Sequence, residues 1–292
     1  MVASKVPEVT VLFWVIKVLT TGMGETASDY LTHRFDPILS AGVAGVVLLV
    51  ALVLQFSRRR YVTWIYWFAV VMVSVFGTMA ADALHIGFGI PYAVSTAVFV
   101  VTLAVIFVAW YASEKTLSIH SIVTPRRETF YWATVLATFA LGTAAGDLTA
   151  TTLNLGYLGS GVLFALVIAI PAIGHWRFRL DAVFAFWFAY IVTRPLGASF
   201  ADWVAVPANR GGLDWGTGPV TLGLLGLIAG CVGYLALTGQ DVAPRPVGRR
   251  RRAPVAADRH RHGMARQCAQ TLLHPGRPLP HRRQHEQGNE VA

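Results

Sequence analysis

Apolar runs of about 20 residues recur from the amino-terminal region to about residue 238. Each run is long enough to cross the roughly 30 Å hydrocarbon core of a bilayer as a helix. Only 13% of the residues are charged, whereas soluble domains carry about 25%. The sequence therefore predicts an all-α, polytopic membrane protein.

The apolar runs predict eight transmembrane helices. They are placed at 9–31, 37–56, 62–85, 92–112, 129–150, 157–174, 181–203 and 217–238. The first run is too long for a cleavable signal peptide and is interrupted by Lys17 and Glu25, so we expect it to be retained as a span.

The connections between these helices alternate in charge. Those after the second, fourth and sixth spans are basic, with Arg58-Arg59-Arg60, Lys115 and Arg126-Arg127, and Arg177 and Arg179. Because basic loops remain in the cytoplasm, we expect both termini to lie there. The predicted location is the bacterial inner membrane, with several passes through it.

The chain divides at about residue 238. Residues 1–238 form the predicted bundle, and residues 239–292 hold 11 Arg and 4 acidic residues. This segment has little apolar surface, which predicts a disordered basic tail in the cytoplasm. It is suited to anionic lipid and gives no reason to expect nucleic-acid binding. Cys231 and Cys268 indicate neither a disulfide nor a metal motif.

One pattern, W-x9-G-x4-D, occurs four times at identical spacing. The copies are Trp14, Gly24, Asp29; Trp67, Gly77, Asp82; Trp132, Gly142, Asp147; and Trp187, Gly197, Asp202. They divide the bundle into four two-helix repeats at about 5–57, 58–113, 125–176 and 177–238. Two helices per unit make the repeats parallel. They predict a ring of four units or two pairs, and the long connection at 113–127 favours two pairs.

This pattern resembles a family of bacterial integral membrane proteins that is defined by a repeat of unknown function. The resemblance covers about residues 5–238 and leaves the basic tail outside. It implies a repeated membrane bundle and brings no established activity with it.

The repeated tryptophans and glycines have structural interpretations. An aromatic residue precedes each Trp, which is typical of an interfacial belt or a packing anchor, with a ligand cage as the alternative. The glycines let helix backbones approach closely. Local unwinding is the alternative, and Pro195 makes it more plausible in the fourth repeat.

The aspartates are the best candidates for a functional site. A carboxylate inside a bilayer is costly and usually faces a bundle interior, where it marks an ion or proton path. Glu25 is the only other acid well inside a predicted span. The four Asp and Glu25 are therefore predicted to bind an ion. The alternative is that each Asp lies at the interface and caps the following loop.

Two basic residues and two histidines complete the candidate site. Lys17 and Arg194 are deep enough to be charge partners of the acids, either functionally or as buried structural pairs. His33 and His85 follow Asp29 and Asp82 by about one helical turn and are candidate metal ligands. The third and fourth repeats lack this histidine, which weakens the metal interpretation.

These features predict a secondary transporter or channel for a small cation, either a divalent metal or a proton-coupled solute. The alternative is a membrane scaffold or assembly factor whose tail binds lipid or a partner. We expect no cofactor and no enzymatic activity, because nucleotide-binding, zinc-protease and hydrolase motifs are missing from the sequence. A homo-oligomer is possible, and the sequence does not determine the oligomeric state.

Overall fold

The computed structural model describes residues 4–242, and this part is helical and contains no strand. The predicted tail therefore lies outside the described residues, apart from 239–242. The long helices are α1 (Val11–Arg34), α2 (Pro37–Ser57), α3 (Thr63–Asp82), α4 (Tyr92–Glu114), α5 (Pro125–Asp147), α6 (Gly156–Phe178), α7 (Ala182–Ala205) and α8 (Thr217–Thr238).

Local sequence explains where several helices begin. The Thr124 side chain accepts a hydrogen bond from the Arg127 N–H, and Pro125 occupies the first turn, so α5 begins four residues earlier than predicted. Asp36 caps α2 in the same way, ahead of Pro37. Helix α7 continues through Pro195, so the local unwinding considered there does not occur.

Seven of the eight long helices are long and apolar enough to cross a membrane. Helix α1 is the exception, because Lys17, Glu25 and Asp29 lower its hydropathy. Eight long helices therefore lie where eight transmembrane helices were predicted, and seven of them have the length and apolar composition of a membrane span. Two of these charged residues, Lys17 and Glu25, are buried within the bundle.

The first helices of the four repeats form a closed inner ring. Helix α1 contacts α3, α3 contacts α5, α5 contacts α7, and α7 contacts α1. The second helices lie outside, where α2 packs mainly on α3, α4 on α5, α6 on α7 and α8 on α1. Burial follows this division: 56–67% of the most apolar window is buried in α3, α5 and α7, against 11–22% in the outer helices. The arrangement is a ring of four units and not two separate pairs.

Aromatic residues repeat one contact around the ring. The aromatic ring before each Trp packs against the Trp of the next repeat. The pairs and centroid distances are Phe13–Trp67 at 5.7 Å, Tyr66–Trp132 at 5.6 Å, Tyr131–Trp187 at 6.2 Å and Phe186–Trp14 at 5.6 Å. The last pair closes the cycle. We call these eight residues the aromatic layer.

The aromatic layer is a packing feature. Its tryptophans are buried, except for the partly exposed Trp14. The belt interpretation thus gives way to the packing interpretation that was considered with it. Trp64 and Trp176 are instead 58% and 84% exposed, so these two residues fit the interfacial role.

The end of the bundle that carries the connections α2–α3, α4–α5 and α6–α7 is called the basic end, and the opposite end the acidic end. Residues 4–8 run across the basic end. The Lys5 ammonium lies 2.5 Å from the Glu128 carboxylate, which also accepts a hydrogen bond from the Gln55 amide at 3.0 Å. Lys5, Gln55 and Glu128, the basic-end network, are all buried. This network ties the amino-terminal segment to α2 and α5.

A second contact holds the end of α8 at the same face. The Tyr61 hydroxyl donates to the Asp241 carboxylate at 2.5 Å, and the Glu8 N–H donates to the Asp241 carbonyl at 3.0 Å. Burial, together with the hydrogen bond to Asp241, raises the pKa of Tyr61 well above its usual value.

At the acidic end the repeats differ in backbone form. One turn of π-helix follows α3 at Ala83–Gly87 and α5 at Leu148–Thr152. Each begins directly after the repeated aspartate, Asp82 or Asp147. Helices α1 and α7 continue as α-helix past Asp29 and Asp202. This difference separates the second and third repeats from the first and fourth. Turns of π-helix are frequent at functional sites.

Candidate functional site

The repeated glycines position the site by allowing the inner helices to approach. A Cβ added to Gly24 would overlap Ser74, and one added to Gly77 would lie 2.8 Å from the Phe139 Cβ. The other two contacts are Gly142 with Arg194 and Gly197 with Thr21. In every case the glycine faces the residue three positions before the glycine of the next repeat. The rule also holds from the fourth repeat to the first, so it closes the ring.

Arg194 is the residue at that position in the fourth repeat, and its side chain is fully buried within the ring. One guanidinium nitrogen donates to the Glu25 carboxylate at 2.6 Å and to the Thr143 hydroxyl at 2.6 Å. The Thr78 hydroxyl lies close to the same nitrogen and shares its two hydrogens with Glu25 and Thr143, and the other terminal nitrogen donates to the Thr21 carbonyl at 3.4 Å. Groups from all three other inner helices therefore converge on one guanidinium.

The partners of Arg194 share one register of the repeat. Each of them directly follows the repeated glycine: Glu25, Thr78 and Thr143. The fourth repeat has Ala198 at this position. Three equivalent positions thus supply side-chain oxygens that point to the ring interior. Sequence reasoning missed both threonines, although the Gly-Thr pairs at 77–78 and 142–143 were a visible signal.

Three carboxylates meet next to this pair. Glu25, Asp147 and Asp202 each place one oxygen within 4.8 Å of the others. Glu25 and Asp202 are buried, and Asp147 is half-buried. Asp202 Oδ1 is buried with no hydrogen-bond partner among the described residues. We call these three residues the acidic cluster. It joins α1, α5 and α7, and carboxylate oxygens are ligands that suit Mg²⁺, Ca²⁺ and Mn²⁺.

The other two repeated aspartates lie outside the acidic cluster. Asp29 and Asp82 are half-buried at the same repeat position. Of the five acids predicted to bind an ion, the structure therefore brings three together. Asp29 and Asp82 lie toward the acidic end, on α1 and α3.

Lys17 does not pair with an acid, although it was expected to be a charge partner. Its fully buried ammonium forms no ion pair within residues 4–242 and has no hydrogen-bond partner there. It lies 3.9 Å from the centroid of the Phe139 ring and 4.1 Å from that of Tyr190. The pairing of Lys17 with an acid is thus not formed. Arg194 pairs with Glu25 and not with an aspartate.

The candidate histidine ligands are directed elsewhere. His33 Nδ1 lies 2.7 Å from the Asp29 backbone carbonyl, and its side chain is exposed. His85 Nδ1 lies 2.7 Å from the Ile90 carbonyl, and its ring stacks on Tyr92 at 3.5 Å. Neither histidine is part of the acidic cluster. His33 thus contacts the backbone of its own helix, and His85 contacts the connection that follows α3.

Comparison with known proteins agrees with the repeat. The family described as Repeat of Unknown Function (DUF347) matches four times, at residues 12–61, 65–116, 130–181 and 185–241. These matches start 7 or 8 residues after the predicted starts in three of the repeats and 5 after it in the third. No curated protein and no solved structure matches the chain. With four matched repeats that span most of its length, the chain belongs to the DUF347 repeat family.

Proposed function

We propose that this protein is a secondary transporter of a small cation, with a divalent metal as the best fit. The observation that carries the proposal is the meeting of Glu25, Asp147 and Asp202 beside Arg194 inside the inner ring. Acidic residues inside a membrane bundle usually face its interior and mark ion or proton paths.

The charges of the site favour a divalent cation. Three ionised carboxylates and one guanidinium leave two negative charges, if all four groups are charged. Such charges repel in a medium of low polarity unless a bound cation or protons neutralise them. A divalent cation would balance the site and would satisfy the unpartnered Asp202 oxygen.

The proposed topology has eight crossings, with the basic end in the cytoplasm of a bacterium. The arginine-rich connections lie at that end, in agreement with the distribution of charge in inner-membrane proteins. Helix α1 crosses with the others because its charged residues need not face lipid. Lys17 is buried against α5 and α7, and Glu25 is buried against α7.

The conformation described here is closed at the basic end. The aromatic layer fills the ring there, and the amino-terminal segment covers it. At the acidic end, Asp29, Asp82 and Asp147 are only partly buried. This conformation would therefore take up or release its cation at the acidic end.

The test compares cellular metal content by elemental analysis. Cells lacking the protein are compared with cells expressing the natural chain or an Asp147→Asn/Asp202→Asn form at equal membrane abundance. Asp214→Asn is the matched control, because Asp214 is exposed at the acidic end and lies outside the acidic cluster. We expect one metal to change with the natural chain and the control, and not with the double variant.

Two outcomes would count against the proposal. An unchanged content of every metal removes the metal version and favours a proton-coupled solute or a scaffold. A metal effect that persists in the double variant shows that the acidic cluster does not carry transport. If the protein is a scaffold, deletion of the chain after about residue 240 would abolish its function, and the aspartate substitutions would have little effect.

A further inference from the structure

We propose that Lys17 is a proton-binding site coupled to the acidic cluster through Arg194, so that cation binding expels the Lys17 proton. The inference rests on the proposed function and adds its coupling: the proton and the cation would cross the membrane in opposite directions. It concerns a buried amine that the acidic cluster does not use.

The surroundings of Lys17 permit both charge states. Two aromatic rings, Phe139 at 3.9 Å and Tyr190 at 4.1 Å, stabilise an ammonium through their electron-rich faces. Against this, the group is fully buried and no described residue accepts its hydrogen bonds. An isolated buried charge is costly, and the neutral amine avoids that cost. A modest change in the nearby field can therefore shift the balance.

Arg194 is placed to supply that change. Its guanidinium carbon lies 5.4 Å from the centroid of the same Phe139 ring that Lys17 contacts. In this conformation the Arg194 charge is compensated by Glu25 at 2.6 Å. If a cation takes the Glu25 carboxylate, the Arg194 charge loses its partner and disfavours a second positive charge across Phe139.

The other titratable groups near Lys17 are tyrosines, which do not supply a negative charge to an ammonium at this position. Tyr190 faces it from α7, and Tyr66 of α3 and Tyr131 of α5 lie on its basic-end side, where their hydroxyls are 2.5 Å apart. Phenols are neutral near pH 7 in their ordinary state. Glu25 is the acid bound by Arg194, which lies at the same Phe139 ring as Lys17.

The repeat supports a specific role for this position. Lys17 lies seven residues before its glycine, and the equivalent residues are Val70, Val135 and Tyr190. An apolar residue satisfies the packing in two repeats, so packing alone gives no reason for an amine. The lysine and Arg194 occur on neighbouring helices α1 and α7, which contact each other.

The chain offers a direct measurement, because it contains only three lysines: Lys5, Lys17 and Lys115. Full-length protein labelled with ¹⁵N at the lysine side chains would be reconstituted in lipid and studied by solid-state NMR over a pH series. A Lys17→Met sample assigns the Lys17 signal. Lys115 is exposed and serves as the internal control.

We expect the Lys17 signal to change from ammonium to amine at a lower pH in Glu25→Gln than in the natural protein, by about one unit. Arg194→Met should move the change to higher pH, whereas Arg194→Lys, which keeps the charge, should leave it near the natural value. Mg²⁺, a diamagnetic ion used as the probe cation, should act as Glu25→Gln does. The Lys115 signal should not respond to any of these changes.

The inference is overturned if the pH of the Lys17 change is the same in the natural protein, Glu25→Gln and Arg194→Met. It is also overturned if Lys17 stays an ammonium throughout the series. Failure of the proposed function has a different signature: Lys17 responds to the two substitutions, but Mg²⁺ and other divalent ions neither bind nor move across the membrane.

Discussion

The Arg194 guanidinium and the Glu25 carboxylate lie 2.6 Å apart, although 169 residues separate them in the chain. They come from the last and first repeats, which become neighbours only when the ring closes. Both side chains are buried, at 0% and 6% exposure. This pair therefore joins the two ends of the repeat array at the level of the candidate site.

Removal of Glu25 should destabilise the protein strongly. Glu25→Ala leaves the Arg194 charge buried without its carboxylate, and breaking such a pair costs about 3–5 kcal/mol. The measurement is the thermal unfolding midpoint in detergent. Glu25→Ala combined with Arg194→Met should recover part of the loss, since no unpaired charge then remains. Equal losses in the single and double variants would show that the pair contributes little.

Gly142 should not tolerate even one methyl group. A Cβ there would overlap the Arg194 side chain, so Gly142→Ala must displace Arg194 and should cost about 1–3 kcal/mol. Gly146→Ala is the matched control on the same helix, because its added Cβ would lie 3.8 Å from the nearest atom, at ordinary contact distance. Similar unfolding midpoints for the two variants would contradict the close approach of α5 and α7.

The aromatic layer should matter more than the exposed tryptophans. Trp132 is 4% exposed, and its truncation to Ala should cost about 3–5 kcal/mol because a large cavity remains. Trp176→Ala should change stability by less than about 0.5 kcal/mol, since Trp176 is 84% exposed. Unfolding midpoints in detergent provide the comparison. A larger loss for Trp176→Ala would favour a belt over a packed layer.

The basic-end network should hold the amino-terminal segment in place. Glu128→Ala leaves the Lys5 ammonium buried without its carboxylate, with an expected cost of about 3–5 kcal/mol. Limited proteolysis of the amino-terminal residues reports whether the segment detaches. Glu8→Ala is the control, because Glu8 is partly exposed and lies 3.8 Å from His120. Identical cleavage of the two variants would exclude the network as the anchor.

Much of the fold was predictable because it depends on local patterns. Apolar runs of bilayer length placed the helices to within a few residues. The cap at Thr124, which starts α5 four residues before the predicted position, was not used. The repeated spacing placed the aspartates at one level. The spacing could not show that α1, whose charged residues make it less apolar than the other spans, lies within the inner ring, because that position depends on its neighbours.

The members of the candidate site were predictable only in part, because Asp29 and Asp82 lie outside the acidic cluster and Thr78 and Thr143 were missed. The pairing was not predictable. Glu25, Asp147 and Asp202 were all identified from their position inside predicted spans, and the structure brings them together. Helical periodicity suggested that Arg194 would face an acid, but it could not distinguish Asp202 on its own helix from Glu25 on α1. The same limit applied to Lys17, whose neighbours are aromatic rings from α5 and α7.

The sequence by itself determined the helices, the four repeats and the register that places each glycine and aspartate at a common depth. These properties follow from hydrophobic length and the fixed rise of a helix, both of which act along the chain. Only the tertiary structure decided that the repeats close into a ring, that Arg194 binds Glu25, and that Lys17 is left among aromatic rings. Those outcomes depend on which helix faces pack together, and close approach at the four glycines selects the faces.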